Sequence, residues 1–196
     1  VLRMDVVVKE AIAVDDRQGE QRRGWWHRLR HHWAGRWFVD LCLVAAVLYG
    51  VTTVQSWHLI ATGEPAPNFA LSTLAGERIE LEALRGKKVL LVFWAPWCGV
   101  CGAESDNISA IHSVYADDSD VEVLSVVLGH EGIDTVQAFV AEHDVTYPVL
   151  LGHRDVQKAY RIDRFPTAYV ISESGQIEDT MVGYTTQLGM HLRLML

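Results

Sequence analysis

A chain of 196 residues, 49% hydrophobic and 21% charged, has globular composition and length for one domain plus an appendage. Its formal charge of -8 is unevenly spread: Val1 to Gly63 carries eight Lys/Arg against six Asp/Glu, whereas Glu64 to Leu196 carries nine against nineteen. So acidic a C-terminal part argues against nucleic acid as a partner, and three cysteines, Cys42, Cys98 and Cys101, are too few for a disulfide framework or a four-thiolate zinc site.

The N-terminal segment 1–36 is basic towards its end, with Arg22, Arg23, Arg28, Arg30 and Arg36 and no acid among them. His31 and His32 belong to this stretch and read as a solvated face near lipid headgroups rather than as a metal site. Leu41 to Gly63 then contains no Asp, Glu, Lys or Arg, which meets the roughly 20 apolar residues a helix needs to cross a bilayer. A transmembrane helix is expected over 37–60. Trp33, Trp37 and Trp57 fall where interfacial aromatic belts would lie, and the arginine bias places the N-terminus in the cytoplasm. A buried core helix and a cleaved secretory signal are the alternatives, and the anchor and signal readings both export the C-terminal domain. Cys42 reads as a small apolar residue of the run. A linker over 61–66 follows, extended by Pro65 and Pro67, and the exported domain is expected from 67 to 196.

Phe69, Leu71, Ile79 and Leu81 alternate with polar residues about a turn at Ala75-Gly76, as in a half-buried hairpin. The unbroken run Val89 to Trp94 suits a strand covered on both faces. Cys98 and Cys101 come next, at the start of a predicted helix on which Cys101, Glu104, Ile108, Ile111 and Tyr115 share one inward face. Asp117 to Asp120 ends that helix, and Val121 to Leu128 is a second buried strand. Ile133, Val136, Phe139 and Val140 mark a helix ending near His143. Tyr147 to Leu151, a helical piece over Asp155 to Tyr160, a hairpin of Thr167–Ser172 with Ile177–Gly183, and an amphipathic helix over Thr185–Met195 complete the chain. In that last helix Leu188, Leu192 and Met195 share one side. The order implies an α/β domain, a central mixed sheet with helices on both faces.

The stretch WAPWCGVCGAES, Trp94 to Ser105, carries the chemistry. Cys98 at a helix N-terminus faces unpaired N–H groups and the positive end of the helix dipole, which stabilise a thiolate. The thiolate is the reactive form in disulfide exchange, so Cys98 is the expected nucleophile and Cys101, one turn on, the resolving residue. A copper or zinc clip and a structural staple are the alternatives. Glu104, on the inward stripe, is the candidate for proton transfer to the resolving thiol, since burial raises a carboxyl pKa towards neutrality.

The run PNFALSTLAGERIELEALRGKKVLLVFWAPWC, together with Tyr147-Pro148-Val149 and PTAYVIS from Pro166, resembles the membrane-anchored TlpA/ResA-like proteins of the thioredoxin superfamily. Within them, Cys-Gly-Val-Cys resembles the suppressor-of-copper-sensitivity D type. Asp106 stands where many members have a helix-kinking proline, and Arg164-Phe165-Pro166-Thr167 departs from the Gly-x-Pro-Glu of the cytochrome c maturation branch. The resemblance implies a thioredoxin fold with an N-terminal hairpin extension and a bacterial inner-membrane protein whose domain exchanges disulfides in the periplasm. It also implies a cis-proline at Pro166, preceded by Phe165, which offers backbone groups to an extended substrate segment. Trp97 would form an apolar apron beside Cys98. No organic or metal cofactor is implied. The expected partners are cysteine-containing substrate proteins, a membrane or periplasmic redox protein and membrane lipid. A cytochrome c maturation reductant and a copper- or zinc-binding thiol protein are the rival functions.

Overall fold

The computed structural model describes residues 37–47, 50 and 58–196. The chain divides into two compact units, Val1–Thr53 and Val54–Leu196. In the first, helix α1 covers residues 37–47 and exposes Trp37, Phe38, Leu41 and Val44. Among the described residues no helix is long and apolar enough to cross a membrane. The expected span over 37–60 falls partly on residues 48, 49 and 51–57, which lie outside the described residues, as do His31, His32, Trp33 and Trp57. Its last positions belong to the second unit: Leu59 and Ile60 are not helical and are buried in that unit's core.

In the second unit, β1 (Ala70–Ser72) and β2 (Arg78–Glu80) form the expected hairpin, with Leu71 opposite Ile79. The main sheet has the order β5-β4-β3-β6-β7. Strand β3 (Lys88–Trp94) lies at its centre, parallel to β4 (Val121–Val127) and antiparallel to β6 (Thr167–Ile171). Strand β5 (Val149–Leu151) extends β4 in parallel, and β7 (Ile177–Val182) pairs antiparallel with β6. Among the described residues, four α-helices accompany the sheet: α2 (Gly99–Val114), α3 (Ile133–Glu142), α4 (Arg154–Ala159) and α5 (Gln187–Met195).

Successive residues of a strand point to opposite faces, so the apolar run of β3 fills two layers at once. Val89, Leu91 and Phe93 join a cluster with Leu71, Val156 and Tyr160. Leu90, Val92 and Trp94 join another with Ile108 and Ile111 of α2, Val136 and Phe139 of α3, and Met190 and Leu194 of α5. Trp94 stacks on Phe139 with ring centroids 4.2 Å apart, which ties the end of β3 to α3 just before the cysteines.

Two expectations change. The 61–66 stretch is not a free linker, because Gly63 N–H donates to Ile177 C=O (2.8 Å), Ala66 N–H donates to Gly175 C=O (2.9 Å), and Ala66 is buried. Packed chain therefore starts before Pro67. The final helix also turns its other stripe inward: Met190 and Leu194 are buried, whereas Leu188 and Leu192 are 65% and 51% exposed and Met195 is exposed. The polar contacts on the Met190 side account for this. Tyr115 Oη meets His191 Nδ1 at 3.0 Å and Arg193 pairs with Asp179 at 2.6 Å, so α2 and β7 set the rotation of α5.

Candidate active site

Ala95 to Cys98 follow the C-terminal end of the central strand β3, where α2 begins. Cys98 is the N-cap of α2, with extended backbone, and its Sγ accepts the Cys101 N–H at 3.2 Å. This donor supports negative charge on Sγ once the sulfur is a thiolate. Cys98 and Cys101 are joined as a disulfide. Cys98 is only 8% exposed, and Cys101 is buried at 3%. What Cys98 meets is a cavity of about 630 Å³ bounded by Trp97, the Gly129–Glu131 loop and the α3 side chains Phe139, Glu142 and His143.

Trp97 projects beside this opening, 69% exposed. Its Nε1–H donates to Gly129 C=O at 3.1 Å, and its ring meets Phe165 edge-on with centroids 5.5 Å apart. Phe165 is half-buried, and the Phe165-Pro166 bond is cis, as the resemblance implied. Pro166 is buried, and its C=O accepts Gly183 N–H at 2.8 Å. Thus Trp97 and Phe165, far apart in sequence, meet in space, and Phe165 packs against the buried cluster that holds both cysteines, while Pro166 itself is buried.

Glu104 lies on the inward side of α2 at 2% exposure, with Cys101, Ile108 and Ile111 also buried along the helix. Its Oε1 accepts the Thr185 N–H at 2.6 Å. Burial pushes its carboxyl up from the ordinary 4.5 to about 7, against the opposing effect of that hydrogen bond. Tyr147 is buried too, and its phenol is raised first by burial and then by the charges of Glu104 and Asp106. Thr185 and Tyr147 escaped the sequence reading as site residues. So did His143, since nothing in its spacing connects it to the cysteines. Among the described residues no group of three or more His, Cys, Asp or Glu side chains is placed to hold a metal ion.

The AhpC/TSA family model matches residues 62–180, which includes the hairpin, the cysteine pair and the cis-proline. The chain belongs to that family. Among curated relatives, the thioredoxin-like protein YneN of Bacillus subtilis is 32% identical over 169 residues, covering 81% of this chain and 96% of its own. The thiol-disulfide oxidoreductase ResA of Geobacillus kaustophilus is 31% identical over 150 residues, 75% of this chain and 85% of that one. StoA of Bacillus subtilis, a solved structure, superposes with a TM-score of 0.57 at 27% identity, covering 65% of this chain and 95% of its own. A thiol:disulfide interchange protein of Chlorobium tepidum, at 22% identity and TM-score 0.62 over 69% of this chain and 97% of its own, shares the fold. A redox-capable cysteine pair at the head of α2 in a thioredoxin-like frame is the equipment of a thiol-disulfide oxidoreductase, and this family member carries it.

Proposed function

We propose that the chain is a membrane-anchored, extracytoplasmic protein disulfide oxidoreductase that exchanges disulfides with partner proteins through Cys98 and Cys101. The observation that carries this reading is the Cys98–Cys101 pair at the α2 N-terminus, with Cys98 meeting a cavity and Cys101 enclosed. In the reducing direction, the Cys98 thiolate attacks a substrate disulfide. A new sulfur–sulfur bond forms to Cys98, and the other substrate sulfur leaves as a thiolate. Glu104 then takes the Cys101 proton, and the Cys101 thiolate attacks Cys98 Sγ. The second substrate sulfur leaves, and the Cys98–Cys101 disulfide holds the two electrons' worth of oxidation. The oxidising direction is the same path reversed.

Trp97 and the cis Phe165-Pro166 step supply the docking surface, where an extended substrate segment adds to exposed backbone. The anchor reading is supported by the charge-free run from Leu41 up to the packed chain that starts at Leu59, and by the arginines before it. The kinship with the suppressor-of-copper-sensitivity D type rests on Cys-Gly-Val-Cys alone. The test is disulfide reduction of insulin by the full chain in detergent, together with labelling of reduced Cys98 in intact cells by a membrane-impermeant maleimide. Turnover and labelling support the proposal. No turnover by a folded, reduced chain removes the activity, and labelling only after lysis removes the extracytoplasmic location.

A further inference from the structure

His143 caps the C-terminus of α3, its N–H bonded to Phe139 C=O at 3.0 Å and its ring packed on Phe139 with centroids 4.4 Å apart. That ring also packs against α2 at Gly102. A Cβ on Gly102 would lie 2.6 Å from both Cε1 and Nε2 of His143, closer than such atoms approach. The imidazole thus occupies the space a side chain at position 102 would fill. Residue 102 is four after Cys98, and positions four apart stack on one helix face with Cβ atoms about 5–6 Å apart. His143 also lines the same cavity as Cys98. The glycine therefore gives the Cys98 face of α2 a titratable neighbour that comes from another helix.

On this basis we propose that His143 is a positioning residue for Cys98, its imidazolium stabilising the Cys98 thiolate in the reduced protein. The proposal deepens the function above and rests on Cys98 being the attacking thiol. Reduction places a thiolate at the N-cap of α2, and a positive charge on the imidazole that packs against Gly102 stabilises it. Glu104 does not compete for this role. Two residues on from Gly102, at about 100° per residue, it lies near the opposite side of α2 and bonds Thr185. The remaining titratable groups at the cavity are Glu131, Glu142 and His130, whose Nδ1 is buried without a hydrogen-bond partner among the described residues. Each cysteine then has its own proton-handling neighbour: Glu104 serves Cys101 from inside, and His143 serves Cys98 from the cavity.

The test uses the full-length reduced chain in detergent and follows alkylation of Cys98 by iodoacetamide against pH, read at that residue by peptide mass spectrometry. His143→Gln keeps a polar side chain and removes the charge. Its apparent Cys98 pKa is expected to rise by about one unit, with alkylation up to about tenfold slower on the acid side and no slower above about pH 9. The reduction potential at pH 7 becomes more negative in the same variant. Gly102→Ala, which displaces the ring and keeps the imidazole, moves both readouts in the same direction. Superimposable profiles for wild type and His143→Gln overturn the proposal, whatever Gly102→Ala does to folding. If Cys98 of the wild type alkylates no faster than Cys101, the assignment of the attacking thiol fails instead.

Discussion

Glu104 Oε1 accepts a 2.6 Å hydrogen bond from the N–H of Thr185, 81 residues further along the chain. Among the described residues one backbone donor faces a carboxylate that is almost wholly buried, so burial dominates and the folded protein holds the proton to about pH 7. Because the folded-state pKa lies above the ordinary 4.5, the folded state binds the proton more tightly than the unfolded one. Stability is therefore undiminished below about pH 4.5 and falls as the pH rises through 7. Glu104→Gln is expected to stabilise the oxidised protein by up to about 3 kcal/mol at pH 8, with the ionisation-linked gain gone below pH 4.5. Urea unfolding at the two pH values measures it, and an equal effect at both would contradict the buried-carboxylate account.

The same substitution separates proton transfer from packing. If Glu104 takes the Cys101 proton, Glu104→Gln slows the step in which Cys101 resolves a mixed disulfide and removes the inflection near pH 7 from its rate profile. Stopped-flow resolution of a preformed mixed disulfide on Cys98 reads this step alone. A variant that retains the inflection would assign it to another group.

Cys98 lines the cavity and Cys101 does not, so the proposed function assigns the attack on partners to Cys98. Cys101→Ser should accumulate mixed disulfides between Cys98 and substrate proteins, visible as bands lost on reduction in non-reducing gels. Cys98→Ser should accumulate none through Cys101 and should lose turnover. Adducts of comparable yield in both variants would reverse or erase the assigned roles.

Trp97 is held from two sides, by Gly129 C=O and by the Phe165 ring, yet remains 69% exposed. An aromatic anchor so placed contributes to binding more than to stability. Trp97→Ala is expected to raise KM for a protein disulfide roughly tenfold, an effect of about 1–2 kcal/mol, with a smaller change in kcat. A fall in kcat at unchanged KM would place Trp97 in the chemical step instead.

Gly152 marks a position where a single carbon is too many. A Cβ there would lie 2.6 Å from side-chain atoms of both Leu128 and Val126 and 2.8 Å from Val127 C=O, where β5 leaves the sheet beside β4. Gly152→Ala should destabilise the domain by about 1–3 kcal/mol by overpacking, a loss that thermal unfolding will report.

Local pattern was enough to find most elements. The run from Val89 to Trp94 is apolar at every position because both faces of β3 are covered, and the helix after Cys98 carries a single inward stripe that includes Glu104. The last helix defeated the same reasoning. It has two apolar stripes, Leu188–Leu192–Met195 and Met190–Leu194, and periodicity cannot choose between them. Contacts of His191 with Tyr115 and of Arg193 with Asp179 choose the second. Leu59 and Ile60 were equally ambiguous: their apolarity suits a lipid-facing helix and a protein core alike, and packing places them in the core.

The sequence by itself determined the α/β order, the cysteine pair at a helix start, the helix stripe on which Glu104 lies and the resemblance that marks Pro166, because each is written in residues a few positions apart. Only the tertiary structure decided what stands around them. The Thr185 N–H on Glu104, the Phe165 ring on Trp97 and the His143 imidazole over Gly102 come from separate elements. Sheet pairing and helix packing bring these elements together, and no local period encodes such contacts. The cysteine motif lies in one short stretch, and the groups packed around it arrive from strands and helices tens of residues away.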